Sequence, residues 1–342
     1  MQVQSSGKAL RLSVLDQSPV SEGSDGSSAL RNTIALARLA DRLGYHRFWV
    51  AEHHGSPALA CTSPEALIGP IATATERIRV GSGGVMLPHY SAYKVAETFS
   101  VLAGLFPGRI DLGLGRAPGT DVRTQLALQR TRRSIVPQDF LDQLKDVIGY
   151  TSGTLPEGHE FSRLADVMPG LPERSVPWLL GSSEQSGVWA AELGLPYVFA
   201  DFINADGAPV AEAYRETFVP SPTQPAPYVG VAAWVVCAET DDEAERLASS
   251  SRMMLRLLRQ GQLVKVPSVE TATQYLADNP EPADSPTRNR RTILGTPATI
   301  RAKVEALAEE YGADEVLMLA ILHDPAAKLR SYELIADAFG MS

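Results

Sequence analysis

The feature that most limits what this chain can fold into is a regular alternation. Short apolar runs rich in β-branched and aromatic residues are each followed by a longer stretch at helical spacing, and the pair recurs eight times. That is the count that closes a parallel strand–helix barrel. The strands read as residues 10–15, 47–51, 78–87, 109–114, 178–180, 197–200, 229–236 and 315–322. Helices are expected over 29–43, from Ser63-Pro64 onward, and over 92–105. Others are expected within 121–148 and over 186–193, 208–218, 241–259, 297–311 and 325–339. Gly44 closes the first because glycine tolerates positive φ, and Ser63-Pro64 is a cap followed by proline at the first helical position. The last four strands are almost continuously apolar, as strands buried on both faces are.

An open doubly wound sheet would use fewer strands, and no GxGxxG follows the first one. The expectation is therefore a (β/α)8 TIM barrel occupying 1–342 as a single domain, although length alone favours two. Two segments interrupt the repeat. Residues 151–177 carry Pro156, Pro169, Pro172 and Pro177, and residues 261–291 carry Pro267, Pro280, Pro282 and Pro286. Both are expected as loop-like insertions. The second ends in Arg288-Asn289-Arg290-Arg291, which reads either as a solvated loop or as a flap over an active site.

Charge narrows the partners. With 31 Lys and Arg against 40 Asp and Glu, the net charge is −9, which argues against nucleic acid or an anionic membrane. No apolar run approaches the ~18 residues of a membrane span. The opening MQVQSSGKA holds no apolar signal-peptide core, so a cytoplasmic location is expected. Cys61 and Cys237 stand far apart and form neither a disulfide framework nor a zinc motif.

In such a barrel the working residues lie at the carboxyl ends of the strands. That rule selects Asp16 and Gln17, Glu52-His53-His54, Met86 to His89, Gly115-Arg116, Gly181-Ser182-Ser183, Asp201, and His323-Asp324. His46 opens a strand and belongs to the structural face. Gly181-Ser182-Ser183-Glu184-Gln185-Ser186 leads into a helix whose free N–H groups and hydroxyls suit a phosphate, with Arg116 alongside; simple helix capping is the plainer reading of Ser183. Gly81-Ser82-Gly83-Gly84 inside the third strand reads as a bulge, or as bare backbone against which a flat cofactor lies.

Taken together, Glu52-His53-His54, the run from Val80 to Pro88, and the run from Gly108 to Arg116 resemble the bacterial luciferase-like flavin monooxygenases. The likeness continues through Leu180 to Ser183, Leu193 to Pro196, Gly295-Thr296-Pro297 and His323-Asp324. Arg116 to Asp121 places the chain nearest the single-chain, alkanal-monooxygenase-like branch. The resemblance implies a barrel that binds reduced FMN, supplied by a separate NAD(P)H:flavin reductase. O2 then oxidises a small organic, hydrophobic substrate through a flavin C4a-(hydro)peroxide.

It also implies a homodimer, with His53 as catalytic acid/base of near-neutral pKa and Asp201 and His323 as substrate-side partners. Glu52, Gly83, Gly84, Val85, Arg116, Ser182, Ser183 and Ser186 are the implied cofactor contacts. The Gly83–Gly84 bond falls where the family holds a non-prolyl cis peptide. Two departures stand out. Gly115 replaces the reactive cysteine of the luciferase α subunit, and Asp201-Phe202 stands where relatives often carry histidine. Two other activities share parts of this pattern: F420-dependent hydride transfer on the same barrel, and a metal-dependent hydrolase using Glu52, His53, His54, Asp201 and Asp324. A non-catalytic flavin-binding protein is a third reading.

Overall fold

Local signals set most element boundaries in the computed structural model, which describes residues 9–117, 119–129, 137–280 and 291–341. Asp25 caps α1 (Gly26–Arg42) by accepting from the Ser28 amide, and Ser91 caps α3 (Ala92–Leu105) in the same way through Lys94. Thr296 caps α11 (Pro297–Tyr311), which stops at Gly312 in the left-handed region. Ser63 precedes α2 (Pro64–Thr73), with Pro64 opening the helix, but its side chain makes no capping bond.

Strands β1 (Arg11–Asp16), β2 (Arg47–Val50), β3 (Arg79–Met86), β4 (Ile110–Gly115), β5 (Val176–Gly181), β6 (Tyr197–Ala200) and β7 (Val229–Cys237) follow in chain order. All pair in parallel with their neighbours, and β9 (Glu315–Leu319) joins β7 to β1. The circuit β1 to β7 and then β9 closes an eight-stranded parallel barrel with helices between strands, as the repeat predicted.

Five details differ from the sequence reading. The region 121–148 holds two helices, α4 (Val122–Leu128) and α5 (Pro137–Ser152). The first insertion is shorter than expected, because α5 runs to Ser152 and β5 starts at Val176; between them lies the one-turn α6 (Ser162–Ala165). The second insertion is not simply a loop. Its Val266 bridges the β1–α1 connection, accepting from the Glu22 amide at 2.8 Å and donating to the Val20 carbonyl at 2.9 Å, and α10 (Val269–Asp278) follows. The basic run Arg288 to Arg290 lies outside the described residues.

Finally, β8 (Thr292–Gly295) pairs along the carboxyl-terminal half of β7, a ninth strand outside the barrel circuit. The strand expected to reach Leu322 ends at Leu319, since its pairing to β1 stops at Met318 and to β7 at Leu319. The remaining helices are α7 (Glu184–Glu192), α8 (Ala208–Thr217), α9 (Asp241–Arg259) and α12 (Pro325–Ala338).

Strand alternation splits the core in two. Val231, Ala233 and Val235 of β7 face the helices, while Ala232 and Trp234 face the barrel interior with Trp49, Trp178 and Leu317. The amino-terminal end of the barrel is plugged by charge. Arg47 donates to Asp111 and Glu315 at 2.6 Å each, and Arg79 adds a second pairing to Asp111 at 2.6 Å. Trp49 Nε1 also donates to Asp111, at 3.1 Å, and the Tyr228 hydroxyl donates to Glu315 at 2.7 Å. Burial opposes each charge, but the opposite partners outweigh it, holding Asp111 below the usual carboxylate range and Arg47 above its own.

Candidate active site

The period of two carries past the strand ends and decides which side chains reach the barrel mouth. On β2 the inward positions are Arg47, Trp49 and Ala51, so the next is His53. On β6 they are Val198 and Ala200, followed by Phe202. A cavity of about 300 Å³ opens there, at the carboxyl ends of the strands. Its walls are mostly apolar: Leu15, Ala51, Leu180, Val198 and Ala232 from the barrel, with Phe140 and Trp189 from α5 and α7. Phe202 and Ile203 stand at the β6 side of the opening.

One wall has no side chain at all. Gly83 and Gly84 line the cavity through a cis peptide bond, where the β3–β4 register slips between Ser82 and Val85. The bulge and the bare wall are thus the same feature. A Cβ on Gly83 would stand 2.5 Å from Leu15 Cδ1, and one on Gly84 would stand 2.8 Å from the Gly113 carbonyl oxygen.

His53 lines the same cavity. Its Nε2 lies 3.1 Å from the Gln17 amide nitrogen. Burial pushes the imidazole down to about 4; the nearby Gly119 backbone opposes that shift and His54 adds to it. The near-neutral pKa expected of His53 is therefore corrected. At neutral pH the ring is uncharged. The Gly119 carbonyl accepts from the His54 amide at 3.2 Å, and the position favours glycine: its φ is +59°, and a Cβ would press on the Glu52 carbonyl and Met86.

The other expected site residues separate by the same alternation. Arg116, Ser182, Ser183 and Ser186 line the cavity together with Gly83 and Gly84. Arg116 is exposed at the rim, its guanidinium 5.4 Å from the Trp189 ring centre. Ser183 occupies the N-cap position of α7 but makes no capping bond, so the hydroxyl and the first amides of that helix are not tied to each other. The Ser186 hydroxyl is already committed, donating to the Ser183 carbonyl at 2.6 Å and sharing a 2.8 Å bond with Tyr197. It braces the turn.

Glu52 and Val85 do not line the cavity. Glu52 is fully buried behind the wall, accepting from the Met86 amide at 2.9 Å, Tyr90 at 2.8 Å and His54 at 2.7 Å. It holds the end of β3 in place. The Val85 side chain packs in the outer core between strands and helices.

Asp201 also points away, because its neighbours Ala200 and Phe202 take the inward positions. Its Oδ1 accepts from the Tyr311 hydroxyl at 2.9 Å and lies 3.6 Å from Arg291, and burial raises its carboxyl above the usual range. His323 is at the outer edge of the mouth, with Nε2 3.3 Å from the Glu22 carbonyl, while its own carbonyl accepts from Ser21 at 2.5 Å.

The five residues of the hydrolase reading are likewise dispersed: Glu52 pairs with His54, Asp201 with Tyr311, and Asp324 caps α12. No cluster of three or more His, Cys, Asp or Glu suited to a metal occurs among the described residues. Cys61 and Cys237 are both buried and free. No helix among the described residues is long and apolar enough to cross a membrane.

The family profile described as luciferase-like monooxygenase matches residues 10–315. The chain belongs to the luciferase-like monooxygenase family. It is 45% identical to the uncharacterized protein YwcH of Bacillus subtilis over 330 residues, covering 96% of this chain and 98% of that one. It is 37% identical to the N-acetyl-S-alkylcysteine monooxygenase of the same organism, covering 96% and 98%. The solved structure of apo-MsnO8 has 40% identity and a TM-score of 0.90, covering 98% of this chain and 99% of that chain.

Two more distant structures share the fold of this luciferase-like monooxygenase. One is the oxygenating constituent of 3,6-diketocamphane monooxygenase from Pseudomonas putida in complex with FMN, at 21% identity and TM-score 0.72, covering 97% and 98%. The other is an F420-dependent secondary alcohol dehydrogenase, at 15% and 0.68, covering 96% and 99%.

Proposed function

We propose that this family member binds reduced FMN in the 300 Å³ cavity and uses O2 to oxidise a small, mainly apolar organic molecule. One observation carries the reading: a side-chain-free wall at Gly83–Gly84 shares a cavity with a cationic, hydroxyl-bearing rim at Arg116 and the uncapped start of α7. A flat ring needs the first, and a phosphate monoester needs the second. The donor set therefore fits FMN. Arg116, Ser182, Ser183 and the α7 amides would hold the phosphate, and Gly83 and Gly84 would face the ring.

When bound, reduced flavin supplies the two electrons that split O2 between an oxygenated product and water. The chain's own residues do the rest. Leu15, Val198, Phe202 and Trp189 keep the cavity apolar and exclude water. Neutral His53 is the proton acceptor at the cavity wall, and Glu52 fixes the β3 end from behind. Asp201 and His323 act outside the cavity, on structure and on the mouth's edge.

The diketocamphane protein is the oxygenating constituent of its monooxygenase, which supports a separate NAD(P)H:flavin reductase here. A cytoplasmic homodimer of one barrel domain per chain completes the proposal. The deciding experiment titrates the protein with FMN and then measures O2 consumption and product with a reductase supplying reduced FMN. Saturable FMN binding with substrate-dependent O2 uptake is expected. Reduction of F420 by an alcohol under nitrogen, without FMN binding, would replace this reading with hydride transfer.

A further inference from the structure

Gln17 is the first residue beyond β1 that faces inward, since Leu15 and Gln17 both line the cavity while Asp16 between them turns out to Thr33 and Lys328. It is nearly buried and its amide nitrogen stands 3.1 Å from His53 Nε2.

An amide NH2 only donates, so the Nε2 it faces at 3.1 Å must offer its lone pair. A neutral ring has one proton, which then sits on Nδ1. We propose that Gln17 is a positioning residue: its amide fixes neutral His53 as the Nδ1-protonated tautomer with Nε2 as the acceptor.

This rests on the reading of His53 as the site's proton acceptor and goes beyond it by naming which atom accepts and what holds it. The step prepared is a proton transfer alone: the Gln17 N–H gives up the Nε2 lone pair, a proton from an acidic O–H in the cavity takes its place, the oxygen keeps the electron pair, and the ring becomes an imidazolium. The Gln17 amide then faces an N–H with an N–H and turns over to present its oxygen. Gln17 thus has two arrangements, one for each charge state of His53. The other titratable group bearing on the ring is His54, itself paired with Glu52; Cys61 meets His53 only through its carbonyl, which takes the His53 amide.

The test uses full-length protein labelled with ¹⁵N-histidine and no flavin. Long-range ¹H–¹⁵N spectra, with His53 assigned by its loss in His53→Ala, report which nitrogen is protonated. The expected wild-type result is a protonated Nδ1 and a bare Nε2. Gln17→Glu places a carboxylate at Nε2, and the His53 midpoint should rise by about 1–3 pH units with the proton favouring Nε2. In turnover assays Gln17→Met should lower kcat about 3–10-fold with KM little changed.

A protonated Nε2 in the wild type, or a His53 midpoint unmoved by Gln17→Glu, overturns the proposal. The wild-type spectrum decides alone should the variants not fold. Because it is recorded without flavin, a failure of the FMN reading leaves its outcome unaffected.

Discussion

The two ends of the barrel are built from the same strands and solve opposite problems. At the amino-terminal end, Arg47, Asp111 and Glu315 are buried charges whose partners surround them. At the carboxyl end polar groups border a cavity instead: a neutral His53, an uncapped α7, an exposed Arg116. Buried polar groups that satisfy one another fix structure, whereas groups left with spare bonding capacity around a cavity are free to act on something else. The same contrast separates two histidines. His46 opens β2 at the closed end and His53 follows it at the open end; burial depresses both to about 4. Only His53 faces a cavity.

If that division is right, substitutions at the open end should cost chemistry and those at the closed end should cost stability. The largest effect is expected for His53→Ala. Losing a positioned proton acceptor should lower kcat about 10²–10⁴-fold, while FMN affinity stays within a few fold and the urea midpoint hardly moves. A variant with wild-type turnover would remove His53 from the chemistry. At the other end, Arg47→Met leaves Asp111 and Glu315 with an uncompensated buried charge. A loss of about 3–5 kcal/mol in urea unfolding is expected, with unaltered FMN affinity in whatever remains folded. A small stability change would mean that Arg79 and Tyr228 suffice for those carboxylates.

Next in size is an effect of pH that both ends share. A histidine depressed to about 4 in the fold but near 6.5 when unfolded takes up a proton on unfolding. Stability is then complete above the unfolded value and falls as pH drops from 6.5 toward 4, by at most about 1.4 kcal/mol per pH unit for each such proton. Urea unfolding of the flavin-free protein across that window should show a slope that His53→Gln and His46→Gln each reduce. If His53→Gln leaves the slope unchanged, the ring is not held neutral by burial.

The same contrast marks what is legible in the sequence. The repeat of strand and helix yields the barrel because burial on both faces writes itself as continuous apolar runs. Strand ends yield His53, Arg116 and the Gly83–Gly84 wall because chemistry and close approach demand particular residue types there. Asp201 qualifies by its place at a strand end, yet the alternation of Ala200 and Phe202 already turns it outward; the period of two, carried one residue further, is the signal that separates them. Glu52 between Ala51 and His53 follows the same rule.

The charged plug is hinted at by Arg47, Asp111 and Glu315 standing at or near the starts of otherwise apolar strands. Their mutual contact spans 64 and 268 positions and needs the closed barrel to exist. Phe140 and Trp189 reach the cavity from helices, through packing that no local pattern encodes. The ninth strand is four residues long and pairs on β7 alone, too short to stand out beside Pro286 and the basic run.

The smallest expected effect is the most discriminating for the open end. A serine at an N-cap ordinarily stabilises its helix by accepting from a first-turn amide, and replacing it with alanine costs about 1 kcal/mol. Ser183 makes no such bond, so it has no cap energy to lose. Ser183→Ala should therefore leave the urea midpoint within about 0.5 kcal/mol of wild type while weakening FMN about 3–10-fold, the value of one hydrogen bond. A stability loss of the usual cap size with unchanged FMN affinity would make Ser183 a structural cap after all. It would then move the phosphate away from α7 toward Arg116 alone, and the open end would owe less to free backbone than the comparison with the closed end requires.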